Sequence, residues 1–325
     1  MKSKWTMAAC LLVCAGAVLP SYSAKSQTYP TRPIRLIVPF PAGGPTDVQA
    51  RILSHEMSKT LGEQIVVDNR GGAGGSIGAE AAAAALADGY TIFFATAGTH
   101  GANSSIYKKL SYDPIKNFDA IALISTTPNI FVTNPKLPAN NMAELIDYAR
   151  KNPGKINYGT AGIGSTTHMS AELLQSMTGI KLVHVPYRGG GPAMSDLIAG
   201  QVELMVDALP TALPHIKSGS IKALGVTTRE RAPSEPDIPT VAETVPGYEV
   251  SAWFGLVAPK GTPKEVVAKL NEEANKVLAT EAVKSRFAEL GMKVGSGSPQ
   301  EFQKRIVDEV EKWPAVMKAT GFQPQ

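Results

Sequence analysis

Two rhythms alternate along this chain. Short apolar runs end in glycine-rich turns, and each turn opens a stretch whose apolar positions recur every three or four residues. Residues 34–39, Ile-Arg-Leu-Ile-Val-Pro, read as a mostly buried strand. The loop Phe40-Pro41-Ala42-Gly43-Gly44-Pro45 follows. A helix is then expected from about Thr46, with Val48, Ile52, Leu53 and Met57 on one face. A strand over 65–67 leads into Asn69-Arg70-Gly71-Gly72-Ala73-Gly74-Gly75 and an Ala-rich helix to Ala87. A strand over 90–95 is followed by the loop 96–100. Residues 120–133 are two apolar runs broken at Thr127-Pro128, as expected of an extended segment passing between domains.

The middle of the chain repeats this grammar. A helix over 142–151 must stop at Asn152-Pro153, because proline disfavours helical backbone in the residue before it. A strand over 156–158 leads through Gly159-Thr160-Ala161-Gly162-Ile163-Gly164-Ser165-Thr166 into a helix carrying Met169, Leu173, Leu174 and Met177. A strand over 182–185 leads through Tyr187-Arg188-Gly189-Gly190-Gly191-Pro192 into a helix over 193–199. A strand over 202–206 ends at Asp207, and another is expected over 221–226. After a proline-rich loop, 250–258 is a second long apolar run that reads as the return crossing.

The C-terminal part is helical. Thr262-Pro263-Lys264-Glu265 and Ser298-Pro299-Gln300-Glu301 both fit a capping box with proline at the first helical position. Strand, loop and helix in alternation mean an α/β fold with a parallel-rich sheet. Crossings near 127–129 and 251–253 divide it into two lobes, with a ligand cleft expected between them. Residues 24–127 plus 253–325 form the first lobe and 128–252 the second.

At 325 residues the chain is too long for one compact core, which agrees with two lobes. The N-terminus reads as a secretory leader. Lys2 and Lys4 precede an apolar run over 7–19, Pro20 ends it, and Ser21-Tyr22-Ser23-Ala24 offers small residues for cleavage after Ser23 or Ala24. That run is too short to span a bilayer. Both cysteines, Cys10 and Cys14, lie inside this leader. A lipid-anchored alternative needs a small residue before the cysteine, but Cys14 follows Val13 and Cys10 comes too early. Losing Lys2 and Lys4 lowers the formal charge from +4 to +2. No block of like charge suits a nucleic-acid arm. An exported, soluble, cysteine-free mature protein is expected.

Three turns recur at strand ends: 40–47, 160–168 and 188–193. Glycine lets backbone N–H groups approach a ligand, and the helix N-terminus that follows favours an anion. One turn lies in the first lobe and two in the second, so a carboxylated ligand is one reading; ordinary α/β turn chemistry is the other. Other motifs fail. Gly74-Gly75-Ser76-Ile77-Gly78 fits a nucleophile elbow, but seven loop residues separate Asp68 from Ser76. Gly72-Ala73-Gly74 with Gly78 lacks the acidic residue that a dinucleotide fingerprint places after the next strand. His55, His100, His168, His184 and His215 show no metal-ligand spacing, so neither metal nor cofactor is expected. His168 stands in the first turn of its helix, where it either packs locally or meets a ligand. Asp47 either caps its helix or faces the cleft. Asp207 either binds nearby backbone or selects an amino group on the ligand.

Three segments carry a family resemblance: Pro39-Phe40-Pro41-Ala42-Gly43-Gly44-Pro45-Thr46-Asp47, Asn69-Arg70-Gly71-Gly72-Ala73-Gly74-Gly75-Ser76-Ile77-Gly78 and Pro186-Tyr187-Arg188-Gly189-Gly190-Gly191-Pro192-Ala193. With 207–210, 221–224, 237–243 and Trp253-Phe254-Gly255, they make the chain resemble the Bug family over roughly 30–320. These are the solute receptors of tripartite tricarboxylate transporters. The resemblance implies a two-lobed, type II-like periplasmic binding-protein fold that closes on a small carboxylated solute. It implies backbone N–H groups and short hydroxyls around the carboxylate, with water bridging to the first-lobe turn. Carried onto this chain, the candidates are Phe40, Gly43, Gly44 and Asp47, with Ala97 and Gly98, in the first lobe. In the second they are Thr160, Gly164, Ser165, Thr166, His168 and Asp207. The implied partners are a small carboxylate and inner-membrane transporter subunits, and the receptor is expected to be a monomer. The alternatives are an exported enzyme acting on a carboxylate, or a receptor serving an ATP-driven importer. The sequence offers no nucleophile, base and orienter set for the enzyme.

Overall fold

The computed structural model describes residues 29–232 and 234–324. The leader, with Cys10, Cys14 and the expected cleavage site, lies outside them. The first part of the chain runs β1 (Ile34–Val38), α1 (Pro45–Leu61), β2 (Ile65–Asn69), α2 (Ser76–Ala83), β3 (Thr91–Thr96) and the short α3 (Asn103–Ile106). The strand β1 pairs in parallel with β2 on one side and β3 on the other. Alternate side chains of β1 serve opposite faces, as the two-residue period of a strand requires. Leu36 and Val38 join a core with Leu53 and Met57 of α1, whereas Ile37 joins one with Ala79 and Ala82 of α2.

The long strand β4 (Phe118–Thr133) then carries the chain across. The middle part runs α4 (Met142–Lys151), β5 (Asn157–Thr160), α5 (Thr166–Thr178), β6 (Val183–Pro186), α6 (Gly190–Ala199), β7 (Leu204–Ala208), α7 (Leu209–Lys217) and β8 (Lys222–Val226). The strand β5 is parallel to both β6 and β7. The chain returns on β9 (Ser251–Pro259) and ends with α8 (Lys264–Leu278), α9 (Glu281–Glu289), β10 (Lys293–Val294) and α10 (Pro299–Thr320).

The strand β4 changes partners along its length. From Phe118 to Pro128 it pairs with β9, and from Asn129 to Thr133 with β7 and β8. The break expected at Thr127-Pro128 is therefore not an end of strand. Pro128 lacks an N–H and takes the last rung against β9, and the next amide, Asn129 N–H, turns to Thr227 Oγ1 at 3.0 Å. On the return, Val250 joins the core of Tyr158 and Leu174, into which Ala102 and Ile106 from the first part of the chain also pack, whereas Trp253 joins the core of Ile37 and Phe93. The helix α10 serves both. Its Phe302 and Ile306 pack with Trp253, while Trp313, Val316 and Met317 pack with residues of α4 and α5.

Several boundaries differ from the sequence reading. The Ala-rich helix ends at Ala83 rather than 87; beyond it Leu86 is exposed and no core draws the turn onward. The expected capping box at Thr262 does not form. Pro263 has extended backbone and is itself the N-cap, and the Thr262 hydroxyl donates back to Pro259 O at 2.7 Å. The box at Ser298 and Glu301 forms in both directions. The strand expected over 202–206 is shifted onto Leu204–Ala208 by its register with β5, so Asp207 lies within the strand. The helix expected from 193 begins at Gly190, preceded by Gly189 at φ 117°. Among the described residues no helix is long and apolar enough to cross a membrane.

Candidate functional site

In open parallel sheets the carboxyl ends of the strands carry the ligand-facing loops. Here β1 and β3 deliver Phe40 and Ala97 from the first lobe, and β5 and β7 deliver Thr160 and Asp207–Ala208 from the second. The three glycine turns follow β1, β5 and β6, and their chemistry differs.

The first turn is bound by its own aspartate. Asp47 is buried and its Oδ2 accepts the Gly43 N–H at 2.9 Å, with Gly43 at φ 84°. The same oxygen accepts Arg51 Nε at 2.8 Å, and Oδ1 accepts Asn69 Nδ2 at 2.9 Å. Asn69 also donates to Phe40 O at 2.9 Å, which pins the turn from the side. Burial pushes the Asp47 carboxyl up, but Arg51, the Gly43 amide and Asn69 outweigh it and hold the group below its ordinary value. Asp47 thus shapes the loop that presents Gly43 and Gly44, with its own oxygens already engaged.

The third turn also meets a carboxylate of the chain. Asp207 is buried, with Oδ2 accepting Thr211 Oγ1 at 2.6 Å. Its Oδ1 lies against Gly190 at the start of α6, so close that a Cβ there would sit 2.8 Å away. Burial raises the Asp207 pKa against the opposing Thr211 and Ala208 hydrogen bonds and the charge of His215.

The second turn is built differently. Its internal bonds come from hydroxyls and an imidazole. Ser165 is the N-cap of α5: its Oγ accepts His168 N–H at 3.2 Å and donates to Gly162 O at 2.6 Å. Thr167 Oγ1 accepts the Ala161 N–H at 3.1 Å, and Thr160 Oγ1 accepts Gly162 N–H at 3.2 Å. Thr166 is the first helical residue. Gly164, at φ 81°, gives its N–H to His168 Nδ1 at 3.3 Å. His168 is 1% exposed and lies beneath the turn, where it stacks on His184 with ring centroids 4.2 Å apart.

The second turn faces the first lobe directly. A Cβ built on Gly98 would lie 3.3 Å from Gly164 O, and one built on Gly164 would lie 3.1 Å from Ile106 Cδ1 and 3.3 Å from Asn103 Oδ1. Candidate residues of the two lobes therefore meet here. Asn103 had no local signature in the sequence, nor had His184, which acts only through a partner brought from another strand. Asn69 lay inside a recognised segment without being singled out. A cavity of about 610 Å³ beside α3, bounded by Tyr107, Lys108, Asp113 and Lys116, contains none of the candidate residues. Among the described residues no group of three or more His, Cys, Asp or Glu is placed to hold a metal ion.

This arrangement has relatives. Residues 49–322 match the family model described as the tripartite tricarboxylate transporter family receptor. The protein BugT of Bordetella pertussis is 37% identical over 309 residues, 94% of each chain. The structure titled R. palustris Rpa4515 with adipate superposes with a TM-score of 0.82 at 40% identity, covering 91% of this chain and 100% of that one. MatC (Rpa3494) from Rhodopseudomonas palustris with bound malate gives 0.79 at 37%, covering 89% and 99%. The strand-end turns, the paired lobes and these matches agree: the chain belongs to the Bug family of tripartite tricarboxylate transporter receptors, with their two-lobed periplasmic binding-protein fold.

Proposed function

We propose that this protein is a periplasmic receptor that captures a small carboxylated solute between its lobes and delivers it to the membrane subunits of a tripartite tricarboxylate transporter. One observation carries the reading. Of the three glycine turns, 40–47 and 188–193 already lie against carboxylates of the chain, Asp47 and Asp207. The turn 160–167 is organised by hydroxyls and an imidazole instead, and it opens the 13-residue helix α5 toward Gly98 of the other lobe. A helix N-terminus with free amides favours an anion, so a ligand carboxylate belongs here. Relatives titled with adipate and with malate support the solute class.

In this reading Thr160, Gly164, Ser165 and Thr166 form the carboxylate pocket, with Phe40, Gly43, Gly44, Ala97 and Gly98 closing over it. Asp47, His168 and Asp207 support the turns from behind. The lobes divide at 127/128 and 252/253, with α10 running along both, and closure is a hinge motion across β4 and β9. The receptor acts as a monomer without catalysis, after removal of the leader at Ser23 or Ala24.

Calorimetric titration of the purified mature chain with adipate, malate and their diamide counterparts tests this. Binding of at least one diacid and of neither diamide is expected. A ligand present at 100 times its Kd should add about 2.7 kcal/mol to stability. Binding of neutral sugars with no response to any acid would end the carboxylate reading.

A further inference from the structure

We propose that His168 and His184 are positioning residues for the solute: a stacked pair of neutral imidazoles that holds the turn 160–166 in its anion-accepting shape. The inference rests on reading that turn as the solute pocket, and goes beyond it by naming what sets its geometry.

Each ring takes a proton from the turn. His168 Nδ1 accepts the Gly164 N–H at 3.3 Å, which requires Nδ1 to be unprotonated and puts the ring proton on Nε2. His184 Nε2 lies 2.7 Å from Thr160 Oγ1. That hydroxyl already accepts the Gly162 N–H at 3.2 Å, and the other acceptor within reach of its proton, Gly162 O, is at 3.5 Å. We assign the hydroxyl proton to the much shorter contact, toward His184, which puts that ring's own proton on Nδ1. The two rings lie 4.2 Å apart and 14° from parallel, and His184 also stacks on Tyr158 at 4.9 Å. Both ends of the Thr160–Gly164 segment are thus tied to one rigid aromatic column.

Burial favours the neutral form of both rings, and Glu172 pulls the other way without overcoming it. Glu172 of α5 is the nearest charge, with Oε1 3.7 Å from His168 Nε2, but that oxygen already accepts Tyr158 OH at 2.8 Å and Gln175 Nε2 at 2.9 Å. The C-terminal segment presents the Phe322 ring, 5.6 Å from His168. Burial lowers the His168 pKa to about 4. For His184 burial, then the neighbouring His168, lowers it to about 3 against the pull of Glu172. A proton added at His168 Nδ1 would set two donors against each other at Gly164 and release the turn.

Two measurements test the pair. In unliganded protein, nitrogen-15 spectra of the imidazoles should show His168 as the Nε2–H tautomer and His184 as the Nδ1–H tautomer at neutral pH. The Gly164 amide should lose its hydrogen-exchange protection with the midpoint at which His168 titrates. His168→Phe keeps the stack without the acceptor and should lose that protection at every pH. His168→Asn places an acceptor near the Nδ1 position and should restore it without the titration. Adipate affinity should fall about tenfold in His168→Phe, the effect of one hydrogen bond, and recover in His168→Asn. A proton on His168 Nδ1 at neutral pH, or a protected Gly164 amide in His168→Phe, would overturn the proposal. If adipate binds neither wild type nor variant, adipate is not its solute, and the spectra and exchange still decide the pair.

Discussion

Gly98 and Gly164 face each other across the two lobes at backbone distance: a Cβ on the first would lie 3.3 Å from the carbonyl oxygen of the second. A Cβ on either glycine would crowd the facing segment, so under the proposed closure these positions limit how far the lobes can shut. Gly98→Val should prop them apart. Overpacking of this kind costs about 1–3 kcal/mol, drawn here from closure rather than from folding of either lobe. Small-angle scattering should show a larger radius of gyration with ligand than the wild type, and calorimetry a weaker Kd. A variant as compact and as tight as wild type would show that the contact does not limit closure.

Asp47 should matter for stability and for the shape of the first turn. Asp47→Asn leaves Arg51 without its anion and weakens the acceptor of the Gly43 N–H. Hydrogen bonds to charged groups are worth about 1.5–3 kcal/mol, and a loss of that size is expected at pH 7 in chemical denaturation. The carboxyl is held below its ordinary value, so its contribution is present above the ordinary carboxylate range and is lost as pH falls through the lowered pKa. The gap between wild type and Asp47→Asn should therefore narrow in acid.

His100 should give the protein a second acid liability, in the segment that carries Gly98. The ring is fully buried beside Phe118, with centroids 4.6 Å apart, and burial lowers its pKa to about 3. A base kept neutral in the fold binds fewer protons than it does unfolded, so stability falls as pH drops from about 6.5 toward 3. Thermal midpoints recorded across that window should decline less steeply in His100→Phe. An identical slope would assign the acid loss to other groups.

The two expected capping boxes should respond differently to mutation. Ser298→Ala removes a working N-cap of α10 and should cost about 1 kcal/mol. Thr262→Ala removes a hydroxyl that bonds to Pro259 O and caps no helix. Helix-specific hydrogen exchange should show fraying at the start of α10 in the first variant and none at the start of α8 in the second.

Strands and their turns were legible because their signals are local: apolar runs, glycine at strand ends, and proline with a hydroxyl ahead of a helix. The crossing at 120–133 was legible as extended, yet Pro128 looked like a break because its exchange of partners depends on β7, β8 and β9 arriving from elsewhere. The candidate turns were found where they stand. What the sequence could not show is that Asp47 spends its oxygens on its own turn, that Asp207 accepts from Thr211 while lying against Gly190, or that His184 lies under Thr160. Those facts follow from strand register, which sets Tyr158 beside His184 and Leu204. The resemblance located the segments, but the division of labour among their side chains came only with the packing.

The helix α10 runs under both lobes, with Glu309 accepting the indole N–H of Trp253 at 3.3 Å and of Trp313 at 2.9 Å. Neither lobe core is complete without it, since Phe302 and Ile306 fill one and Trp313 and Met317 the other. The melting of either lobe strips surface from the same helix and removes support from its neighbour. The protein should therefore unfold as a single cooperative unit, with one calorimetric transition whose van't Hoff and calorimetric enthalpies agree, even though its chain is divided between two lobes.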